Sequence, residues 1–221
     1  MSVLLYDPIK TMSALTDEVL VAFSGGKDSI VALDLCCKYF KRVVPFFCYT
    51  VPHLSFQENQ MNWYEKRYNI KIHRIPDPVV SRMLHYGIYC NYDFTVPITS
   101  HADNYNYMRA ITGIKWIVTG ERISDSIVRG AMIKHSSTID ETRGCFYPVA
   151  EWKKKQILEY IKKAKLKLGE DSKKLGYSLY GISGEEIKTL HDVFPEDYAR
   201  EEQFYPLIGV KWKRFEAYGK Q

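Results

Sequence analysis

Short apolar runs alternate with amphipathic stretches over the first half of the chain. Residues 19–23, VLVAF, are continuously apolar, which is typical of a strand covered on both faces in a parallel sheet. Residues 42–50, 70–75 and 115–119 predict three more strands. Pro45 weakens the first of these three, because proline cannot donate a hydrogen bond to a neighbouring strand.

Helical patterns lie between these strands, over residues 29–40, 55–69, 77–87 and 102–113. Ile30, Leu33 and Cys37 form one apolar stripe of the first pattern. The spacing of Ser55 and Glu58 predicts a capping box at the start of the second. Strands that alternate with helices at this spacing predict an α/β fold, a doubly wound and mostly parallel sheet with helices on both faces.

The pattern becomes helical after Pro148. A lysine-rich helix is predicted over residues 152–168, and its inner side is formed by Ile157, Leu158 and Ile161.

A last helical stretch, residues 196–218, is interrupted by Pro206. We therefore expect two parts, an α/β core over residues 1–150 and a C-terminal helical extension over residues 151–221 that packs on this core.

The loop after the first strand carries the strongest chemical signal. It reads S-G-G-K-D-S and lies between a buried strand and a helix: Ser24, Gly25, Gly26, Lys27, Asp28 and Ser29. Two glycines let the backbone approach an anion, and the helix points unpaired N–H groups and its positive dipole end at the same place. We therefore predict a phosphate-binding loop, with an ordinary capped turn as the alternative. The Walker A pattern is absent.

This loop resembles the PP-loop of the adenine nucleotide alpha-hydrolase superfamily. Within it, the chain most resembles the phosphoadenosine phosphosulfate (PAPS) reductase family, over about residues 17–210. Other segments similar to family motifs follow in family order: Tyr49-Thr50 with residues 54–58, Thr119-Gly120-Glu121-Arg122 with Asp125-Ser126 and Arg129, Tyr147-Pro148 with Trp152, and Gly176-Tyr177. The chain departs from the family at Tyr49-Thr50, where the Asp and Gly of a D-T-G motif are missing, and at Asp125, where the family has Glu.

The resemblance implies an enzyme that binds ATP or a sulfonucleotide (PAPS or APS) with Mg²⁺. The nucleotide-binding residues that it implies are the six loop residues with Thr50, Gly120, Glu121 and Arg122. It implies charge-neutralising catalytic roles for Lys27, Arg122 and Arg129, and a Mg²⁺-binding role for Asp28. Ligands bind outside the carboxyl ends of the strands in a doubly wound sheet, so both loops are predicted on one rim.

The cysteines disfavour the reductase reaction itself. A PAPS reductase uses a nucleophilic cysteine near its C-terminus, whereas the last cysteine here is Cys145 and no E-C-G-x-H segment follows. Four cysteine ligands for a 4Fe–4S cluster cannot be assembled, so no cluster is expected. Adenylyl transfer with release of pyrophosphate, or sulfur transfer, remains. A protein that binds a nucleotide without turnover is the alternative.

The net charge of +5 and the pI of about 8.8 suit an anionic ligand or partner. The lysine-rich helix leaves a nucleic-acid partner open, although a solvated helix face is the favoured interpretation. The acceptor substrate stays unknown and a homo-oligomer stays open. No apolar run approaches the ~18 residues of a membrane span, and the N-terminus lacks the basic region of a signal peptide. We therefore expect a cytoplasmic protein with no membrane partner.

Overall fold

The computed structural model describes residues 7–180 and 183–219. Its sheet has six strands: β1 (Glu18–Ala22), β2 (Arg42–Tyr49), β3 (His73–Pro76), β4 (Ile117–Thr119), β5 (Ile139–Asp140) and β6 (Cys145–Phe146). The spatial order is β3-β2-β1-β4-β6-β5, and every neighbouring pair is parallel except β5 with β6. The predicted α/β fold with a mostly parallel sheet is confirmed.

The helices of the described residues are α1 (Pro8–Leu15), α2 (Lys27–Tyr39), α3 (Ser55–Tyr68), α4 (Pro78–Tyr86), α5 (His101–Thr112), α6 (Ile127–Ser136), α7 (Lys154–Lys163), α8 (Glu170–Leu175), α9 (Gly184–Val193), α10 (Pro195–Phe204) and α11 (Gly209–Tyr218). None of them is long and apolar enough to cross a membrane.

The alternating side chains of β1 divide the core into two layers. Val19 and Val21 pack on one face of the sheet with α1, α2, α3 and α7, whereas Leu20 packs on the other face with α5 and α6. A strand covered on both faces must be apolar at every position, which is why β1 reads as a continuous apolar run.

The order in which strands are added to the sheet reverses at β1. The chain proceeds from β1 to β2 and β3 at one side, then returns to β4 on the other side, where Ala22 lies opposite Thr119. The loops that follow β1 and β4 therefore diverge at the carboxyl end of the sheet. Such a switch point is where doubly wound sheets bind their ligands.

The predicted capping box at the start of α3 is wrong. Ser55 is the first helical residue, and its N–H and its hydroxyl each donate to the carboxylate of Asp197 at 2.7 Å. Glu58 forms an ion pair with Arg74 instead, at 3.0 Å. A carboxylate from α10 thus caps α3, and no local pattern announces a contact so distant along the chain.

Several predicted boundaries also shift. The strands expected at residues 70–75 and 115–119 are shorter in the structure, and the lysine-rich helix α7 ends at Lys163. Leu158 is 43% exposed, so its predicted place on the inner side of α7 is wrong. Pro206 does separate two helices, as expected.

The sequence pattern did not predict several short helices and strands. These are α1, α6, α8, β5 and β6, which are too short or too weakly periodic to stand out.

The last three helices form a separate apolar cluster. Ile187, Leu190 and Tyr205 pack there with Val51 and Leu54, which follow β2. Helix α7 instead joins the main core through Ile157 and Ile161. The division of the chain at residue 150 stays a prediction.

Glu201 is fully buried in α10, and neither carboxylate oxygen has a hydrogen-bond partner in the part of the chain that the structure describes. Burial, with a smaller effect of the Glu186 charge, raises its pKa from 4.5 to about 8. The folded protein therefore keeps a proton that the unfolded chain loses, and stability falls as pH rises through this window.

We expect Glu201→Gln to remove a pH dependence of the free energy of unfolding. As the pH rises, the Glu201 carboxyl lowers the free energy of unfolding by up to about 1.4 kcal/mol per pH unit between roughly pH 5 and 8. The measurement is urea unfolding at several pH values. Glu202→Gln, an exposed neighbour on the same helix, is the control and should keep the wild-type slope. An unchanged slope in Glu201→Gln would contradict the assignment.

Candidate functional site

The loop between β1 and α2 is held in a turn that leaves its backbone open. Gly25 has a φ of +73°, and a Cβ there would lie 2.6 Å from Gln60 Oε1. Gln60 Nε2 donates to the Gly25 carbonyl at 2.9 Å. Ser29 Oγ accepts from Ser24 Oγ at 3.0 Å and donates to the Gly26 carbonyl at 2.9 Å. The positive φ therefore favours glycine at position 25, and a Cβ there would also displace the end of the Gln60 side chain.

The first turn of α2 presents free backbone donors. Gly26 stands at the N-cap without a side-chain cap, and the first backbone hydrogen bond of the helix runs from Ile30 to Gly26. Within residues 7–180 and 183–219, the N–H groups of Lys27, Asp28 and Ser29 have no acceptor. Free N–H groups at the positive end of a helix dipole favour an anion.

The loop after β4 docks directly on this turn. A Cβ on Gly120 would lie 2.6 Å from the Ser29 backbone nitrogen and 2.8 Å from the Asp28 carbonyl carbon. Backbone atoms cannot yield as a flexible side chain can, so position 120 tolerates only glycine.

Arg122 fixes the same contact electrostatically. It is 6% exposed, and its Nε lies 2.9 Å from Asp28 Oδ1, as an ion pair without hydrogen-bond geometry. Its Nη2 donates to Asp125 Oδ1 at 2.6 Å, and its Nη1 donates to the Trp152 carbonyl at 3.3 Å. The predicted nucleotide contact Arg122 thus joins the loops after β1, β4 and β6.

A pocket of about 260 Å³ opens where these loops meet. It brings together most of the predicted site residues with Thr119, which precedes Gly120 in the predicted motif, and with Ala22 and Tyr105, which were not predicted to bind the nucleotide. The full lining is Ala22, Ser24, Gly26, Asp28, Ser29, Tyr105, Thr119, Gly120, Glu121, Asp125 and Arg129. Thr119 is 8% exposed, and its hydroxyl has no hydrogen-bond partner among the described residues. A buried unpartnered hydroxyl at a pocket wall suits a polar ligand.

Two cations of the site have carboxylate partners. Lys27 Nζ lies 2.8 Å from Asp28 Oδ2, and Arg129 Nε lies 3.6 Å from Glu121 Oε1. The Lys27 and Asp28 side chains are half-buried, whereas the Arg129 side chain is 52% exposed. Because exposed ion pairs contribute little free energy, an incoming anion can displace Glu121 from Arg129 at low cost.

Thr50 does not line this pocket. It is buried, its hydroxyl donates to the Tyr180 carbonyl at 2.7 Å, and its own carbonyl accepts from the Tyr205 hydroxyl at 3.0 Å. The predicted nucleotide contact is therefore engaged by the C-terminal part of the chain.

The residues present do not form a metal site by themselves. Both Asp28 oxygens face cations, Lys27 and Arg122. Among the described residues, no group of three or more His, Cys, Asp or Glu side chains could hold a metal ion. The Mg²⁺ role predicted for Asp28 stays a prediction.

The cysteine thiols are poor nucleophiles at neutral pH. Burial raises the pKa of all five, to about 12 for Cys37 and about 11 for Cys48. A reactive thiol needs the opposite shift, because the thiolate is the attacking species.

Gln60 was missed by sequence reasoning because it lies in the middle of α3 without any motif. Tyr105 belongs to a tyrosine-rich stretch that core packing can explain. Its ring packs edge-to-face on that of Phe46, with the two ring centres 5.9 Å apart. Thr119 was noticed only as part of a motif. Its free hydroxyl is a property of the folded chain.

A sequence profile described as the phosphoadenosine phosphosulfate reductase domain matches residues 18–170. No curated protein matches the chain significantly.

Two solved structures with a TM-score of 0.50 support the fold. Phosphoadenylyl-sulfate (PAPS) reductase from Candida auris, in a phosphate complex, is 18% identical, with 78% of this chain and 85% of that chain covered and a TM-score of 0.50. The NH3-dependent NAD synthetase from Campylobacter jejuni is 16% identical, with 97% and 93% covered and a TM-score of 0.50. The U34-tRNA thiolase from Methanococcus maripaludis with its 4Fe–4S cluster is 14% identical, with 91% and 78% covered and a TM-score of 0.47. At these identities the likeness concerns the fold alone.

We expect Arg122→Ala to lower the free energy of unfolding by about 3 kcal/mol, because it leaves the partly buried Asp28 and Asp125 without their partner. Arg129→Ala, at an exposed position of the same pocket, is the matched control and should cost less than about 1 kcal/mol. Chemical denaturation of both variants measures the difference. Equal losses would show that Arg122 does not hold the loops together.

Proposed function

Because this chain belongs to the phosphoadenosine phosphosulfate reductase domain family, within the PP-loop superfamily, we propose that it binds an adenine nucleotide at the pocket between β1 and β4. The nucleotide is ATP or a sulfonucleotide, PAPS or APS. The first turn of α2 holds its phosphates. The single observation that carries the proposal is the set of free N–H groups at Lys27, Asp28 and Ser29 beside the pocket.

Two basic side chains complete the anion site in this proposal. Lys27 turns from Asp28 to the phosphates, and Arg129 turns from Glu121 across the pocket. In the structure, Lys27 pairs with Asp28 at 2.8 Å, and Arg129 lies 3.6 Å from Glu121. Arg122 keeps its buried partners and positions Asp28 and Gly120, so its effect on the nucleotide is indirect.

The proposed reaction is adenylyl transfer. A nucleophile of the acceptor substrate attacks the α-phosphorus of ATP and forms a new bond to it. The bond from the α-phosphorus to the bridging oxygen breaks, and pyrophosphate leaves with the bonding electron pair. Positive charge from Lys27 and Arg129 and the α2 amides stabilise the charge that builds up on the phosphoryl oxygens. Mg²⁺ would arrive on the nucleotide phosphates, and no step depends on a protein carboxylate that binds it.

The raised thiol pKa values support this reaction over cysteine-based reduction. Attack on a sulfonucleotide requires a thiolate near the pocket, but none of the five cysteines lines it. Sulfur transfer to an activated acceptor remains compatible with the site if an external sulfur donor takes part. The absence of an iron–sulfur cluster stays a prediction.

A binding protein without turnover is the second candidate. The contact of Thr50 with the Tyr180 carbonyl favours it, because the C-terminal segment occupies a group that the family resemblance assigns to the nucleotide.

We expect Lys27→Ala to weaken ATP binding by roughly tenfold to a hundredfold, the effect of losing one charge-assisted contact. Isothermal titration calorimetry measures the affinity. Lys134→Ala, which removes an exposed lysine from α6, is the control and should bind like the wild type. Unchanged affinity in Lys27→Ala would refute the placement of the phosphates.

Incubation of the protein with ATP, Mg²⁺ and a panel of acceptors should release AMP and pyrophosphate, or an adenylylated acceptor and pyrophosphate. Chromatography of radiolabelled nucleotide follows the products. Release of ADP and phosphate would contradict cleavage at the α-phosphorus. Tight binding without products on any acceptor would favour the second candidate.

A further inference from the structure

A basic surface runs along the exposed side of α7. Two contacts fix its ends. At the start, the Trp152 carbonyl accepts at 3.3 Å from Arg122, whose partners Asp28 and Asp125 line the nucleotide pocket. At the far end, the Ala164 carbonyl accepts from Arg67 at 2.8 Å. We call the following residues the α7 basic surface: Lys153, Lys154, Lys162, Lys163 and Lys165 with Lys66 and Arg67 of α3. All seven are exposed.

These charges are not neutralised by the protein. Within residues 7–180 and 183–219, no residue of the α7 basic surface forms an ion pair with a carboxylate. Within α7, Lys155 and Glu159 form an ion pair at 3.9 Å between two exposed side chains. The surface is therefore strongly positive and open to solvent.

The lysines are not explained by the stability of α7. Lys153 and Lys154 stand at its N-terminus, where the helix dipole makes positive charge unfavourable. Only Lys162 and Lys163, in the last turn, lie where positive charge stabilises a helix.

The packing of α7 disfavours a lipid surface as the partner. Ile157 and Ile161, the apolar side of the helix, are buried in the main core. A helix that binds a membrane through its interface must present that side to the lipid. Only Leu158 is an exposed large apolar residue of α7.

Aromatic rings accompany the charges at the far end. The guanidinium of Arg67 lies 5.1 Å from the centre of the Trp63 ring and 5.5 Å from that of Tyr68. Arginine beside aromatic rings is a common element of surfaces that bind phosphates and stack bases.

We propose that the α7 basic surface binds the phosphodiester backbone of a nucleic acid strand, one end of which lies beside the nucleotide pocket. The ten residues of α7 span about 15 Å, the distance of roughly four phosphates along a duplex strand. The strand is then positioned to be the acceptor, or to bring the acceptor, for the activated nucleotide. The surface is separate from the phosphate loop, so it binds whether or not the nucleotide site is functional.

The test is fluorescence anisotropy with labelled 20-nucleotide single strands and hairpins of RNA and DNA, over a range of salt concentrations. For the logarithm of the association constant against the logarithm of salt, the wild type should show a slope of about −4 with hairpin duplexes and about −3 with single strands. The variant that combines Lys154→Gln, Lys162→Gln and Lys163→Gln should bind at least about tenfold more weakly. Its slope should be closer to zero by about 3 with duplexes and by about 2 with single strands.

A matched control removes three lysines elsewhere, by Lys134→Gln, Lys211→Gln and Lys213→Gln, and has the same net charge. It should keep the wild-type affinity and slope. Equal weakening in both triple variants would overturn the proposal, since it would show an effect of net charge alone. Undetectable binding of every oligonucleotide at low salt would overturn it too, as would binding only to anionic phosphatidylserine vesicles.

Lys27→Ala should leave oligonucleotide binding unchanged, so failure of the nucleotide site and failure of this surface are distinguishable. Circular dichroism and thermal unfolding check that each variant is folded.

Discussion

The site depends on the contact between the loop after β4 and the first turn of α2. The Gly120 backbone lies against the Asp28–Ser29 peptide, where a Cβ would come within 2.6 Å of a backbone nitrogen. The buried guanidinium of Arg122 holds this contact by binding Asp28, Asp125 and the Trp152 carbonyl. A buried charge must keep its partners, because removing one leaves the others desolvated and unpaired. The pocket wall, the open helix turn and the start of α7 are thereby fixed relative to one another.

The same network divides the basic residues of the site into two kinds. Arg122 is committed to the fold, whereas Lys27 is half-buried in a close pair with Asp28 and Arg129 forms an exposed pair that a phosphate can replace. The three free N–H groups of α2 have no competing acceptor among the described residues. In the proposed function, selectivity for an anion therefore comes mainly from the backbone, and the mobile cations add affinity.

The C-terminal helices contribute to the rim as well as to stability. Asp197 of α10 caps α3, and the Tyr205 hydroxyl and the Tyr180 carbonyl both bind Thr50. Ser178 Oγ lies 3.9 Å from the position of a Cβ on Gly26, so the segment before α9 passes beside the phosphate loop.

The sequence by itself determined the α/β fold, the strand–loop–helix at residues 24–29 and the rim on which Gly120 and Arg122 lie, because these follow from local periodicity and from glycine at sites of close backbone approach. It also indicated a chain without a conventional reductase cysteine. Only the tertiary structure decided that Asp197 replaces the predicted Ser55–Glu58 cap, that Thr50 is engaged by Tyr180, and that Arg122 is an internal partner of Asp28. It also revealed Gln60 behind Gly25 and the free hydroxyl of Thr119. Each of these contacts joins residues that lie far apart in the sequence and meet only when the chain folds. The spacing of residues along the chain therefore does not predict them.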